Sequence, residues 1–269
     1  MPRAALIPVL LAAGILMVWG VAFPLSDSPM TGDVLASPSA DHWLGTNQMG
    51  QDVFLRAVAA APGTIAVGLA AGMATLGGAL VYGFAAVTTP PLLGRSMMRC
   101  VDIMIALPNL VLAMLVASYL RPDAGTLLLL LVAFAWPSDV RVVAAVIQRE
   151  KRRDSYRMAQ AFGAGPAYLL FRHLLPRMAP VLAALGVQGT RRAIMHASGL
   201  AFLGLTDPSS PTWGSMLAEA VPLLYDAAAI WLTLAPIVAL SSFLLLLSLV
   251  GARLETWSHL SQGGSLDQG

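Results

Sequence analysis

Charge is scarce in this chain: 11% of its 269 residues are Asp, Glu, Lys or Arg, against 57% that are hydrophobic. A soluble domain covers its surface with about 25% charged residues, so an ordinary water-soluble globule is excluded and lipid is left as the solvent. Cysteine occurs once, at Cys100, which rules out a disulfide framework or a cysteine-built metal cluster; the residue reads as a small packing side chain. Lysine also occurs once, at Lys151, and no G-x-x-x-x-G-K-[ST] run exists, so nothing here cradles nucleotide phosphates. The net charge of +2 is too small to indicate nucleic acid. No nucleophile and base fall at a recognisable catalytic spacing, and no repeat of solenoid period is present.

What the chain does have is long apolar runs. At about 20 residues per crossing, six candidates stand out, at 4–24, 60–87, 101–120, 125–147, 178–203 and 227–250. The first follows Arg3 and has no clear A-x-A cleavage site, so an uncleaved helix is expected. The second contains Gly68 and Gly72 in G-x-x-x-G spacing, which permits close approach of a neighbouring helix. Pro108, Pro137 and Pro236 fall inside crossings and predict kinks. The expectation is an all-α polytopic bundle of six transmembrane helices. Residues 1–57 supply the first helix and an external loop, 58–255 the transmembrane domain, and 256–269 a disordered tail.

Lys and Arg fix the expected orientation. With the N-terminus inside, the inner segments hold Arg3, Arg95, Arg99, Arg149, Lys151, Arg152, Arg153, Arg157, Arg172, Arg177 and Arg253, while the outer ones hold Arg56 and Arg121 among many acids. Both termini then face the cytoplasm. So does the interruption at 149–176, whose sequence is basic, then small, then amphipathic. Gly163, Gly165 and Pro166 break any helix at its middle, giving a short helix, a turn and a second short helix closed by Pro176 along the membrane surface.

Polar residues within crossings are the default functional candidates. Arg191 and Arg192 sit mid-way along the fifth with His196, and Asp102 and Asp139 lie near the inner ends of the third and fourth. The arginines are expected to face a subunit seam or cavity, to hold a substrate carboxylate or pair with an acid on a partner. His196 has an imidazole suited to a metal chelate, although hydrogen-bonded packing is the commoner role. His42 and His259 read as solvated.

Within the inner segment, Ala159, Gln160, Ala161, Phe162, Gly163 and Ala164, then Phe171, Arg172, His173, Leu174, Leu175 and Pro176, resemble the E-A-A-x-x-x-G loop of ABC importer permeases and its hydrophobic-x-hydrophobic-P ending. Three further stretches resemble signatures of the dipeptide, oligopeptide and nickel permeases, in order: "HWLGTNQMGQDVFLRAV" at 42–58, "WPSDVR" at 136–141 and "LAFLGLTDPSSPTWGSMLAEA" at 200–220. The chain is similar to the shorter, C-type permease of that family. Four departures stand out: Arg157 replaces the loop's usual Glu, Met158 its first Ala, and Asn47 and Gln51 replace an Asp and an Arg of the first signature.

The resemblance implies a type I importer transmembrane domain with no catalytic residue and no metal site of its own. ATP and Mg²⁺ would be bound by a partner ATPase. Arg153, Asp154, Arg157, Ala159, Ala161, Gly163, Phe171, His173 and Pro176 would form the coupling face, with His173 orienting it. Trp43, Gly45, Thr46, Asp52 and Trp213 would dock an extracytoplasmic binding protein, the tryptophans otherwise serving as an interfacial belt. Further partners implied are a second homologous permease, one or two cytoplasmic ATPases and the bilayer of a bacterial or archaeal inner membrane, with no nucleic acid. The cargo implied is a peptide or a nickel chelate. The competing reading, a secondary transporter or channel that needs no ATPase, predicts mid-membrane acids or broken helices in paired halves.

Overall fold

The computed structural model describes residues 33–120, 122–226 and 229–263, without the side chains of 229 and 255–263. The described residues form helices α1 (Val53–Thr88), α2 (Pro91–Ala106), α3 (Asn109–Leu120), α4 (Ala124–Lys151), α5 (Asp154–Ala161), α6 (Pro166–Phe202), α7 (Trp213–Ala220) and α8 (Ala229–Gly263). The fold is all-α, as expected. Four helices, α1, α4, α6 and α8, are long and apolar enough to cross a membrane, and α2 with α3 makes a fifth crossing if the two form one broken span. The crossing expected at 4–24 lies outside the described residues.

Helix starts follow side-chain chemistry. Asp52 caps α1 by accepting from Leu55 N–H at 3.0 Å, and Asp123 caps α4 by accepting from Thr126 N–H at 2.9 Å. Thr212 and Ser215 form a reciprocal capping box at α7. Each satisfies backbone donors that a helix leaves unpaired.

At the centre, α1 packs between α4 and α6. A Cβ on Gly68 would overlap the Ile194 side chain, and one on Gly72 would stand 2.5 Å from Thr190 N, so the α1–α6 seam is built on backbone proximity. Gly83 faces the other way, where a Cβ would lie 3.1 Å from Val143 of α4. Lipid offers little hydrophobic drive for helix association, so close packing at small residues holds such seams.

The prolines divide by what their neighbours can repair. Pro137 and Pro236 stay inside continuous helices, α4 and α8. Pro108 ends one: Leu107 before it is extended, at φ −81° and ψ 142°, and α2 and α3 diverge by 74°. The stretch expected to cross at 101–120 is broken at Pro108, where a kink was expected, and its first helix starts earlier, at Pro91. Pro176 does the reverse of what the sequence suggests. Instead of closing a helix it lies within α6, because a π-helical turn at Leu169–Leu174 lets Leu175 N–H donate to Leu170 C=O and absorbs the mismatch. Two further corrections concern Cys100, which is exposed on α2, and the tail, whose residues 256–263 continue α8 as helical backbone.

Candidate functional site

The elbow at 149–176 is built from the C-terminus of α4, all of α5 and the first turns of α6. At the end of α5, Gly163 takes φ +84°, its N–H donates to Gln160 C=O, and Ala164 N–H donates to Ala159 C=O, both at 3.0 Å. This is a Schellman stop, which favours a glycine. Tyr156 and Leu169 are buried beneath the turn, and burial pushes the Tyr156 phenol up from its ordinary range. Outward, Met158, Phe162 and Phe171 are 64%, 88% and 68% exposed. Arg152, Arg157 and Arg172 are exposed around them, and their side chains have no ion-pair partner among the described residues.

Of the expected coupling residues, Asp154, Arg157, Ala161, Gly163, Phe171 and Pro176 are exposed, and Ala159 and His173 are half-buried. The His173 ring stacks at a tilt on Tyr168, 5.7 Å between centroids. Arg153 is committed internally: its Nε lies 2.9 Å from Glu150 Oε2. Glu150, 5% exposed, is the residue that sequence reasoning missed. Its carboxylate also lies 3.8 Å from Arg149 and from Arg177, so one buried acid on α4 ties the start of α5 to the start of α6. The signal was a lone Glu within a basic run.

Higher on α4, two more ion pairs join it to its neighbours. Asp139, 2% exposed, accepts from Arg192 of α6 at 2.5 Å, and Ser138 accepts from the same guanidinium at 3.1 Å. Arg141 of α4 bridges Asp102 of α2, its Nε at 3.0 Å. Arg192 thus has an acid partner within its own chain. Arg191 points elsewhere, donating to Ser248 of α8 at 3.1 Å beside a cavity of about 210 Å³. His196 is half-buried one turn beyond Arg192, and no group of three or more His, Cys, Asp or Glu that could hold a metal ion occurs among the described residues.

On the opposite face, the 42–52 loop is folded on itself. Asn47 Oδ1 accepts from Met49 and Gln51 N–H, both at 2.9 Å, and Asn47 Nδ2 donates to Gln51 Oε1 at 3.0 Å. The two residues that depart from the family signature are therefore each other's partners. Arg56 makes a two-pronged bridge to Glu219 of α7, at 2.5 and 2.6 Å, clamping α7 to the start of α1 beside this loop.

Of the five expected docking residues, Trp43 alone is exposed, at 68%. Gly45, Thr46 and Asp52 are buried in the loop's own framework. Trp213, at 2% exposure, donates its indole N–H to Ala57 C=O at 2.8 Å, so it is neither a belt residue nor a surface one. His42 is likewise not simply solvated: its Nδ1 lies 2.9 Å from Asp52 Oδ2. The side chain of His259 lies outside those described.

Residues 78–258 match the family model described as a binding-protein-dependent transport system inner membrane component. The chain is 35% identical to the di/tripeptide transport system permease protein DppC of Pseudomonas aeruginosa (strain UCBPP-PA14) over 66% of its own length and 59% of that protein's. It is 31% identical to the dipeptide transport system permease protein DppC of Alkalihalophilus pseudofirmus over 75% of its length and 66% of the relative's. It is 29% identical to the oligopeptide transport system permease protein OppC of Bacillus subtilis (strain 168) over 70% and 62%. The chain thus spans roughly three fifths to two thirds of the length of these relatives.

Proposed function

The chain belongs to the binding-protein-dependent transport system inner membrane component family, in its dipeptide and oligopeptide permease branch, and from that membership we propose that it is the membrane-spanning subunit of an ATP-driven peptide importer. It acts without catalytic groups of its own. A separate cytoplasmic ATPase binds ATP and Mg²⁺, a second related permease completes the pathway, and an extracytoplasmic binding protein delivers the peptide. Both termini and the elbow face the cytoplasm. A nickel chelate, the alternative cargo, has only His196 in its favour.

The observation that carries this reading is the elbow's outer surface. Met158, Phe162 and Phe171 are apolar tips exposed within a rim of uncommitted arginines, an arrangement that suits a groove with apolar walls and acidic edges. Closure of the ATPase would displace α5. The displacement would pass through Glu150 to α4 and through the unbroken α6 to the bundle, which is the two-state element that coupling requires. On the outer face, Trp43 and the clamped Arg56–Glu219 region are where the binding protein would sit.

Phe162→Asp places a charge at the most exposed of these tips. It is expected to abolish copurification of the ATPase while membrane insertion persists. Retained copurification, or peptide uptake into vesicles by the purified chain without any ATPase, would overturn the reading. Arg157→Glu addresses the departure from the family loop: it is expected to lower ATP-coupled uptake, because the ATPase surface opposite presents an acid or a neutral group. Improved coupling would refute that complementarity.

A further inference from the structure

Beside the elbow, sharing only Arg152 with its rim, lies a second feature. Where α1 and α4 both end, a cavity of about 560 Å³ opens between them and α2. Four basic side chains line it: Arg95 and Arg99 from α2, and Lys151 and Arg152 from the end of α4. Asp102 is the one acid in the wall, and it is already bridged by Arg141. Lys151 Nζ donates to Val87 C=O at 2.9 Å, and Arg95 Nε donates to Pro91 C=O at 3.1 Å, which leaves the terminal nitrogens of the Arg95 fork for something else. Arg99 and Arg152 have no side-chain partner among the described residues. The Thr89 hydroxyl, also in the wall, is buried without a hydrogen bond.

Such a wall offers donors and positive charge with no anion to satisfy them. Leu92 and Leu93 on the neighbouring turn of α2 are 74% and 53% exposed, so an apolar surface adjoins the basic one. We propose that this cavity is a binding site for the phosphate headgroup of an anionic phospholipid, whose acyl chains lie against Leu92 and Leu93. Arginine forks match phosphate oxygens two at a time, and basic pockets between transmembrane helices on the cytoplasmic side are suited to anionic headgroups. The adjoining leucines favour a lipid over free phosphate, which would gain nothing from them. The site requires that α1 and α4 span the membrane and is independent of what is transported.

The test uses the full chain, with the subunits that copurify, in detergent. Native mass spectrometry would titrate it with phosphatidylglycerol, phosphatidylcholine and inorganic phosphate. Phosphatidylglycerol is expected to bind on the order of tenfold more tightly than phosphatidylcholine, since each basic residue near the headgroup contributes measurably. The Arg95→Gln/Arg99→Gln double variant should lose that preference and keep its phosphatidylcholine binding, while Arg157→Gln, on the elbow outside the cavity, should keep the preference. If the double variant does not fold, Arg152→Gln alone should lower the preference several-fold.

Equal binding of both lipids by the unaltered chain would overturn the proposal. So would displacement of phosphatidylglycerol by millimolar phosphate, which would make the ligand the free ion. An equal loss in Arg157→Gln would show general basicity instead of a site. A preference that vanishes when partner subunits are present would mean that a protein surface covers the cavity.

Discussion

Asn47 and Gln51 show how a residue-scale departure becomes intelligible only in three dimensions. Read along the chain, they are two unrelated losses of charge from a signature. In space, Asn47 spends its oxygen on two backbone N–H groups and its amide on Gln51, so an amide contact joins the two positions where the signature has opposite charges. Asn47 cannot flip, because its oxygen is fixed. Gln51→Arg alone should therefore set donor against donor and cost about 1 kcal/mol, while the Asn47→Asp/Gln51→Arg double variant should recover it. A thermal-unfolding double-mutant cycle should give a favourable coupling of about 0.5–3 kcal/mol; additive effects would refute the pairing. Asp207 offers a pH test on the same face. The backbone N–H of Ser209, then its hydroxyl, hold the Asp207 carboxyl below its ordinary value of 3.8. A lowered value means that the bonus is present above the ordinary carboxylate range and is lost as pH falls through the depressed one. Amide exchange at Ser209, corrected for intrinsic rate, should lose protection as pH falls through that depressed value, and Asp207→Asn should flatten that dependence. The motif residues were readable from the sequence. The burial of Trp213 and the commitments of His42 and Asp52 were not, since exposure depends on which distant backbone carbonyl or side chain arrives beside them.

Among the elements, the glycines and prolines divide the legible from the illegible. Gly68 and Gly72 announce close approach by their spacing, and the seam with α6 is where it occurs. Because a Cβ on Gly72 would meet the backbone of Thr190 at 2.5 Å, Gly72→Leu must push α1 away from α6. Overpacking of this kind costs about 1–3 kcal/mol or more, and should lower both the melting temperature and the yield of membrane-inserted chain. Gly77, with open space around its Cβ position, provides the control: Gly77→Leu should leave both unchanged, and an equal loss there would remove the seam's special status. Prolines resist the same treatment. Pro108 and Pro176 look alike in sequence, yet one separates α2 from α3 and the other sits inside α6. The difference lies in whether upstream backbone can shift to a π-turn and re-pair its donors, which depends on packing around the turn and not on the proline itself.

For the whole molecule, α4 is the member to which the others are fastened. It carries Asp139, Arg141 and Glu150, and these reach α6, α2, and α5 with the start of α6, respectively. A displacement at the elbow therefore has a charged connection at each level of the bundle, which apolar contact alone would not supply so directionally. The three differ in what breaking them should do. Arg141–Asp102 is half exposed and is expected to contribute little to stability. Arg192–Asp139 has its acid buried at 2% exposure, so Arg192→Ala leaves a carboxylate without a counter-charge, and such losses cost about 3–5 kcal/mol. Neutralising both members removes the stranded charge. Asp139→Asn combined with Arg192→Gln should then regain most of the stability lost by Arg192→Ala, measured as melting temperature in one detergent. Should the double variant nonetheless support ATP hydrolysis by the ATPase proposed above and fail in the proposed peptide uptake, the pair serves transmission as well as stability. If Arg192→Ala melts with the unaltered chain, the pair contributes no stability, and α4 is held to α6 by packing alone.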